Sequence, residues 1–220
     1  DKKSLNAIAL GGAVLGSGGG GDPYVGRLMT SQSIEESGGV KVIDIESLPD
    51  EALILPIAMM GAPTVMVEKF PSGNEFAQLI PLIEKLLTKP VSAILCAEAG
   101  GLNSTIPFVA ASKLGLPIID GDAMGRAFPE LQMVTFTLGG ISATPMAMVD
   151  EKGNGCTFDT ISNVWTEKLA RAITIQMGGS AMCSLYPVTA KQCKDYLIRG
   201  SLSLIHHIRS EEHTSELQSQ

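Results

Sequence analysis

The segment from Val91 to Asp120 limits the fold of this chain more than any other. Val91 to Cys96 is a short apolar run that reads as a buried strand, Asn103 to Leu114 as a helix with Pro107 in its first turn, and Pro117 to Asp120 as a second strand. Two strands joined through a helix run parallel, because the crossover returns the chain to the same end of the sheet. The unit therefore predicts an α/β protein with a partly parallel sheet, and its second strand ends in acidic residues.

The flanking sequence extends that sheet. Ser4 can cap a helix with Leu5, Ile8, Ala9 and Leu15 at helical spacing, ended by Gly16 to Gly21, and Asp22-Pro23 opens a second helix that ends near Gly38. Val40 to Ile45 alternates like a partly exposed strand, and Ala52 to Met59 reads as a buried one. Asn74 to Leu87 has helical spacing, with Pro81 expected to kink or bound it. Met133 to Leu138 and Pro145 to Val149 are strand candidates, and Lys152-Gly153-Asn154-Gly155 supplies a hairpin leading into Cys156 to Phe158. Asn163 to Met177 is an amphipathic helix, Ala181 to Tyr186 a strand, and Thr189 to Ile208 a last helix capped by Thr189 and broken or loosened at Gly200. The sheet is thus mixed, with a small antiparallel hairpin excursion.

Composition narrows the function classes. Hydrophobic residues make up 45%, enough for a substantial core, and 24 glycines leave many backbone positions free. A net charge of −7 without a cluster of Lys and Arg argues against a nucleic-acid partner. The longest apolar run, Leu53 to Val67, is broken by Pro56, Gly61 and Pro63 and is too short to span a bilayer. Lys2-Lys3 before an apolar stretch imitates a signal peptide but lacks a cleavage site. The four cysteines form no C-x-x-C pair, so reduced thiols in a cytoplasmic protein are expected. From Arg209 the chain reads like a translated sequencing adapter, so residues 209–220 are set aside as an artefactual tail and 1–208 as one α/β domain. On that reading the natural sequence is cut short. Leu202, Leu204, Ile205 and Ile208 are then expected to expose an apolar patch.

Two constellations can carry chemistry. The run Gly16-Ser17-Gly18-Gly19-Gly20-Gly21 satisfies G-x-G-x-x-G only trivially, follows a helix rather than a strand, and lacks the G-K-[ST] of a phosphate loop. Gly18, Gly19, Gly20 and Gly21 either present bare amides to a ligand or form a sharp turn that needs positive φ. Asp22 would repel a phosphate. Glu98, Asn103, Asp120 and Asp122 lie just past the carboxyl ends of two neighbouring strands, where open α/β sheets bind ligands. Glu98, Asp120 and Asp122 can serve as general bases, and Asp120 with Asp122 can ligate a divalent metal that activates water; the alternative is that the two aspartates cap the next turn. Arg126 either grips an anionic substrate group or pairs with Glu130 or Asp122. Glu68 and Glu75 are weaker candidates. His206, His207 and the cysteines assemble no nucleophilic triad.

The motifs AVLGSGGGGDPYVG at 13–26, EAGGLNSTIPFVAASKLGLPIIDGDAMGRAFPEL at 98–131 and WTEKLARAITIQMGG at 165–179 together resemble the S-methyl-thiohydantoin desulfurase family. Its members are often encoded near hydantoinase/oxoprolinase proteins. The resemblance implies an amino-terminal three-layer α/β/α domain, a mainly β carboxy-terminal domain expected to be missing here, and a reaction in which water replaces methanethiol on a hydantoin-like ring. The partners implied are that small-molecule substrate and the chain's own carboxy-terminal domain; assembly into a homo-oligomer is a separate, open option. A non-catalytic accessory subunit of hydantoin metabolism is the competing reading.

Overall fold

A computed structural model describes residues 2–17, 19–62, 65 and 73–208. Two helices, α1 (Lys2–Gly16) and α2 (Pro23–Ser37), precede a mixed sheet of nine strands. Its parallel half contains β1 (Val42–Ile43), β2 (Leu53–Gly61), β3 (Val91–Cys96) and β4 (Ile118–Asp122), with α3 (Glu75–Leu87) and α4 (Ile106–Leu114) as crossovers. After the short helix α5 (Thr135–Leu138), the hairpin β5 (Met146–Val149) and β6 (Gly155–Phe158) extends the sheet beyond β2 through the antiparallel strand β7 (Ser180–Ser184). Helix α6 (Asn163–Gln176) joins β6 to β7. The chain ends its described course with β8 (Val188–Thr189), α7 (Ala190–Tyr196), β9 (Ile198–Arg199) and a helix α8 over 201–208.

Strand β2 shows why the architecture has three layers. Leu53, Leu55, Ile57 and Met59 join the core under α1 to α4 and α8, while Ile54, Ala58 and Met60 join the core under α5 to α7. Successive side chains alternate between the faces, so helices on both sides turn the strand into an unbroken apolar run. Burying Leu55 and Ile57 completely is worth roughly 1.5–3 kcal/mol each. The three-layer α/β fold with a mixed sheet and hairpin excursion follows the expectation.

Four local expectations are corrected. Met133 to Leu138 alternates in burial like a strand, yet Thr135–Leu138 is one helical turn, closed by Gly139 N–H donating to Thr135 O. Two buried residues, Val134 and Phe136, anchor so short a segment in either conformation. The helix expected from Thr189 to Ile208 does break at Gly200, but a strand, β9, precedes the break, because β1 covers only Ile118 and Ile119 of the β4 edge and leaves Gly121 and Asp122 to be paired by Arg199 and Ile198. Pro81 sits inside α3, so of the two outcomes expected of it the helix boundary is the one overturned. Finally, α8 buries Leu202 and Ile205 and exposes Leu204, so the apolar patch expected there does not form. No helix of the described residues is long and apolar enough to cross a membrane.

Candidate functional site

Because β2 and β3 are parallel neighbours, their carboxyl ends open onto the same edge of the sheet. The loop that follows β3 meets the glycine run between α1 and α2 there. Gly101 N–H donates to Gly19 O at 3.3 Å, Leu102 N–H to Gly20 O at 2.7 Å and Asn103 N–H to Gly20 O at 3.0 Å. The approach excludes side chains: a Cβ on Gly20 would lie 2.6 Å from Gly100 Cα, and one on Gly101 2.2 Å from Gly21 O. Gly20 and Gly21 also hold φ of 73° and 82°. The turn therefore needs glycine, and it borders a cavity. Gly18 lies outside the described residues.

That cavity measures about 350 Å³ and is walled by Gly19 to Gly21, the end of β2 from Ala58 to Gly61, Ala97, Glu98, Asn103, Met124, Ala127 to Leu131 and Arg171. Its size is ample for one small heterocycle. Most of the wall is apolar, and Glu98 and Asn103 bring a charge and an amide into it. Asn103 is fixed on three sides. Its Oδ1 accepts from Met59 N–H at 2.8 Å, and its Nδ2 donates to Met59 O at 3.2 Å and to Glu98 Oε1 at 2.6 Å. Burial pushes the Glu98 carboxyl above its ordinary range against the pull of Asn103 and the Phe128 N–H, and the charge of Asp122 adds to the rise. A carboxyl so placed sits nearer to neutral pH and is held in one orientation.

The other predicted residues are distributed around this centre rather than gathered in it. Asp122 is fully buried, and its Oδ2 accepts from the N–H groups of Ala99 at 2.8 Å, Met124 at 3.1 Å and Gly125 at 2.7 Å. It clips the turn carrying Glu98 to the turn that starts the far wall. Burial raises its pKa as well; the Ser201 hydroxyl and the three N–H groups counteract this, yet Asp122 Oδ1 and Ser201 Oγ are both buried without a well-formed hydrogen bond. Asp120 points to the start of α8, accepting from Ser203 N–H at 3.0 Å and Ser203 Oγ at 2.5 Å, and lines a separate polar cavity with Asp44, Arg199 and Gly200. Arg126 is exposed and does not border the first cavity. Glu75 opens α3 outside it, and Glu68 lies outside the described residues.

Among the described residues no three His, Cys, Asp or Glu side chains stand together as a metal site. Asp122 Oδ2 is already occupied by three donors, and Asp120 faces another cavity, so the two do not combine into a donor set. Cys96 lies below the site, where burial and the charges of Asp122, Asp120 and Glu98 hold its thiol protonated.

Sequence reasoning missed the opposite wall. Glu167 Oε2 accepts from Leu131 N–H at 3.0 Å, and its Oε1 accepts from Arg171 Nε at 2.5 Å, while Arg171 Nη2 donates to Pro129 O at 3.1 Å. The i, i+4 spacing of Glu167 and Arg171 on a helix was the available signal. It carried no hint that the pair would reach across to residues 127–131.

The comparisons with known proteins agree with this architecture. A crystal structure of a protein from Chromobacterium violaceum superposes with a TM-score of 0.85 at 23% identity, over 98% of this chain and 62% of that one. This chain therefore spans under two thirds of the length of that relative. No curated protein matches. The family model described as S-Me-THD-like, N-terminal domain, matches residues 3–160, and the one described as S-Me-THD-like, C-terminal domain, matches 161–218. The second match corrects the expectation of a chain truncated before its carboxy-terminal domain, and it runs through the segment read as an adapter translation, a reading that nothing here supports. Helix α6, with Arg171 and Glu167, falls in that second region. From its motifs, its fold and both domain matches, the chain belongs to the S-methyl-thiohydantoin desulfurase-like family.

Proposed function

We propose that the cavity beneath Glu98 hydrolyses an S-methylated thiohydantoin or a closely related ring. Water adds to the ring carbon that bears the methylthio group, the carbon–sulfur bond breaks, and methanethiol leaves as a carbonyl forms. The observation that carries the reading is Glu98 itself. It is a buried carboxyl with a raised pKa, oriented by Asn103 and facing a cavity of ring size. Such a group can take a proton from attacking water and return it to the departing sulfur. Met59, Met60 and Ala97 offer apolar contact to the ring and its methylthio group. The N–H groups of Gly20 and Gly21 make no hydrogen bond among the described residues, and are the natural donors for charge that develops on a ring nitrogen or oxygen.

The test is methanethiol release from S-methylated thiohydantoins, followed with a thiol reagent. Glu98→Gln preserves shape and the contact with Asn103 while removing the proton acceptor, so turnover is expected to fall by about 10²–10⁴-fold with the fold intact. Wild-type turnover in that variant would refute the assignment. Tight ring binding without any methanethiol, by wild-type and variant alike, would favour the accessory-subunit reading.

A further inference from the structure

We infer that the β6 edge of the sheet is the surface through which two copies of this chain pair, their sheets joined antiparallel about a twofold axis at Cys156. Strand β6 closes the strand order and pairs β5 alone, so its outer side is open among the described residues. The hairpin decides which backbone groups lie there. Asp150 N–H donates to Asn154 O at 3.0 Å, so in the register Met148↔Cys156 and Met146↔Phe158 the backbones of Cys156 and Phe158 bond inward to β5. Gly155 and Thr157 then turn their N–H and C=O groups outward. Edges of natural sheets are commonly blunted by Lys, Pro or a bulge, and Gly155–Phe158 carries none of the three.

A second copy satisfies this edge because the edge is complementary to itself. Gly155 of one copy faces Thr157 of the other and exchanges N–H···O=C bonds with it, while the two Cys156 residues form the non-hydrogen-bonded pair on the axis. Charge agrees. No charged side chain lies at the axis, and exposed Lys152 before the strand comes within one residue of exposed Asp159 of the other copy. The acids at the Lys152 end are turned away: Asp150 is buried under the N–H groups of Lys152 and Asn154, and Glu151 lines a small cavity with Glu75 and Met182. Apolar surface follows the same edge. Trp165, Leu169, Ala172 and Ile173 share one side of α6, and the last three line a groove of about 500 Å³ with Cys156 and Met177. Trp165 and Leu169 remain 46% and 41% exposed. Joining the sheets about an axis perpendicular to them puts both α6 helices on one face, where these stripes meet across the axis and cover the grooves.

Sedimentation velocity and thiol cross-linking of the whole chain decide the matter. The wild type is expected to sediment as a dimer at about 10 μM, within the affinity range of a specific interface. With copper–phenanthroline and oxygen, Cys156 should give a disulfide-linked dimer, because the Cα atoms of a non-hydrogen-bonded pair lie about 4.5 Å apart, within disulfide reach, and Cys96, Cys183 and Cys193 are buried. Cys156→Ser should lose the cross-link and stay dimeric. Thr157→Pro deletes an outward donor that β5 does not use, one in each copy, and should weaken the dimer by about 10–100-fold. Leu169→Lys, at an exposed position, sets like charges across the axis and should also give monomers, which keeps the test decisive where the proline variant does not fold. A wild type still monomeric at about 100 μM overturns the interface, whether Cys156 then reacts freely with a thiol reagent or is shielded by another part of its own chain. A dimer that resists both substitutions and yields no cross-link uses a different face, and overturns it as well.

Discussion

Asp122 and Glu98 are buried carboxyls with raised pKa values, and stability should record both. A raised pKa in the folded state means that the native protein binds the proton more tightly than the unfolded chain does. Stability from that source is complete below the ordinary carboxylate range and is lost as pH rises through the raised values. Asp122→Asn removes the charge, keeps an acceptor for Ala99, Met124 and Gly125, and places a donor beside Ser201. An unsatisfied buried polar group costs about 1–3 kcal/mol, so the variant is expected to melt at least about 2–4 °C higher at pH 8, with a smaller gain at pH 5. Thermal unfolding at the two pH values measures it. A lower melting temperature at pH 8 would mean that the carboxylate is better satisfied than its surroundings indicate. Asp122 acts on the site by position, since it joins two turns and does not border the cavity.

At the level of elements, the strand pairing on β4 and the start of α8 depend on each other. Asp120 accepts Gly200 N–H through its backbone oxygen and caps Ser203 through its carboxylate, so a residue inside β4 also satisfies the first turn of a helix. Asp120→Ala is expected to cost about 1 kcal/mol and to speed deuterium exchange at residues 202–205. If turnover falls further than folded protein does, Asp120 belongs to the catalytic set after all. The glycine run makes a comparable joint between α1, α2 and the loop after β3. Gly20→Ala brings a Cβ to 2.6 Å from Gly100 Cα at a φ of 73°, so ring binding should be lost before global stability is.

Across the whole molecule, residues from both family regions share one core. Ile205 is completely buried and belongs to the same core cluster as Ile8 of α1 and apolar residues of α3 and α4, and α1 packs so tightly on α8 that a Cβ at Gly11 would lie 2.0 Å from Ile205 O. Ile205→Ala is expected to destabilise by about 2–5 kcal/mol in a single cooperative urea transition. Two separate transitions would show that the region after residue 160 unfolds by itself.

The sequence by itself determined whatever depends on local periodicity and chain chemistry. The Val91–Cys96 strand, the Asp22-Pro23 helix start, the hairpin at Gly153-Asn154 and the apolar run of β2 were all legible, because propensity, capping and double-sided burial write themselves into neighbouring residues. The position of Glu98 and Asn103 just past the carboxyl end of β3 was also legible, because the apolar run Val91–Cys96 marks where that strand stops. The tertiary structure decided how the acids divide. Asp120 and Asp122 are two residues apart on one strand, yet one caps α8 and the other is sealed under three N–H donors. It also decided that the cation at the cavity is Arg171 and not Arg126. Both outcomes depend on which distant segment fills the space beside a side chain, and residue spacing along the chain carries no measure of that.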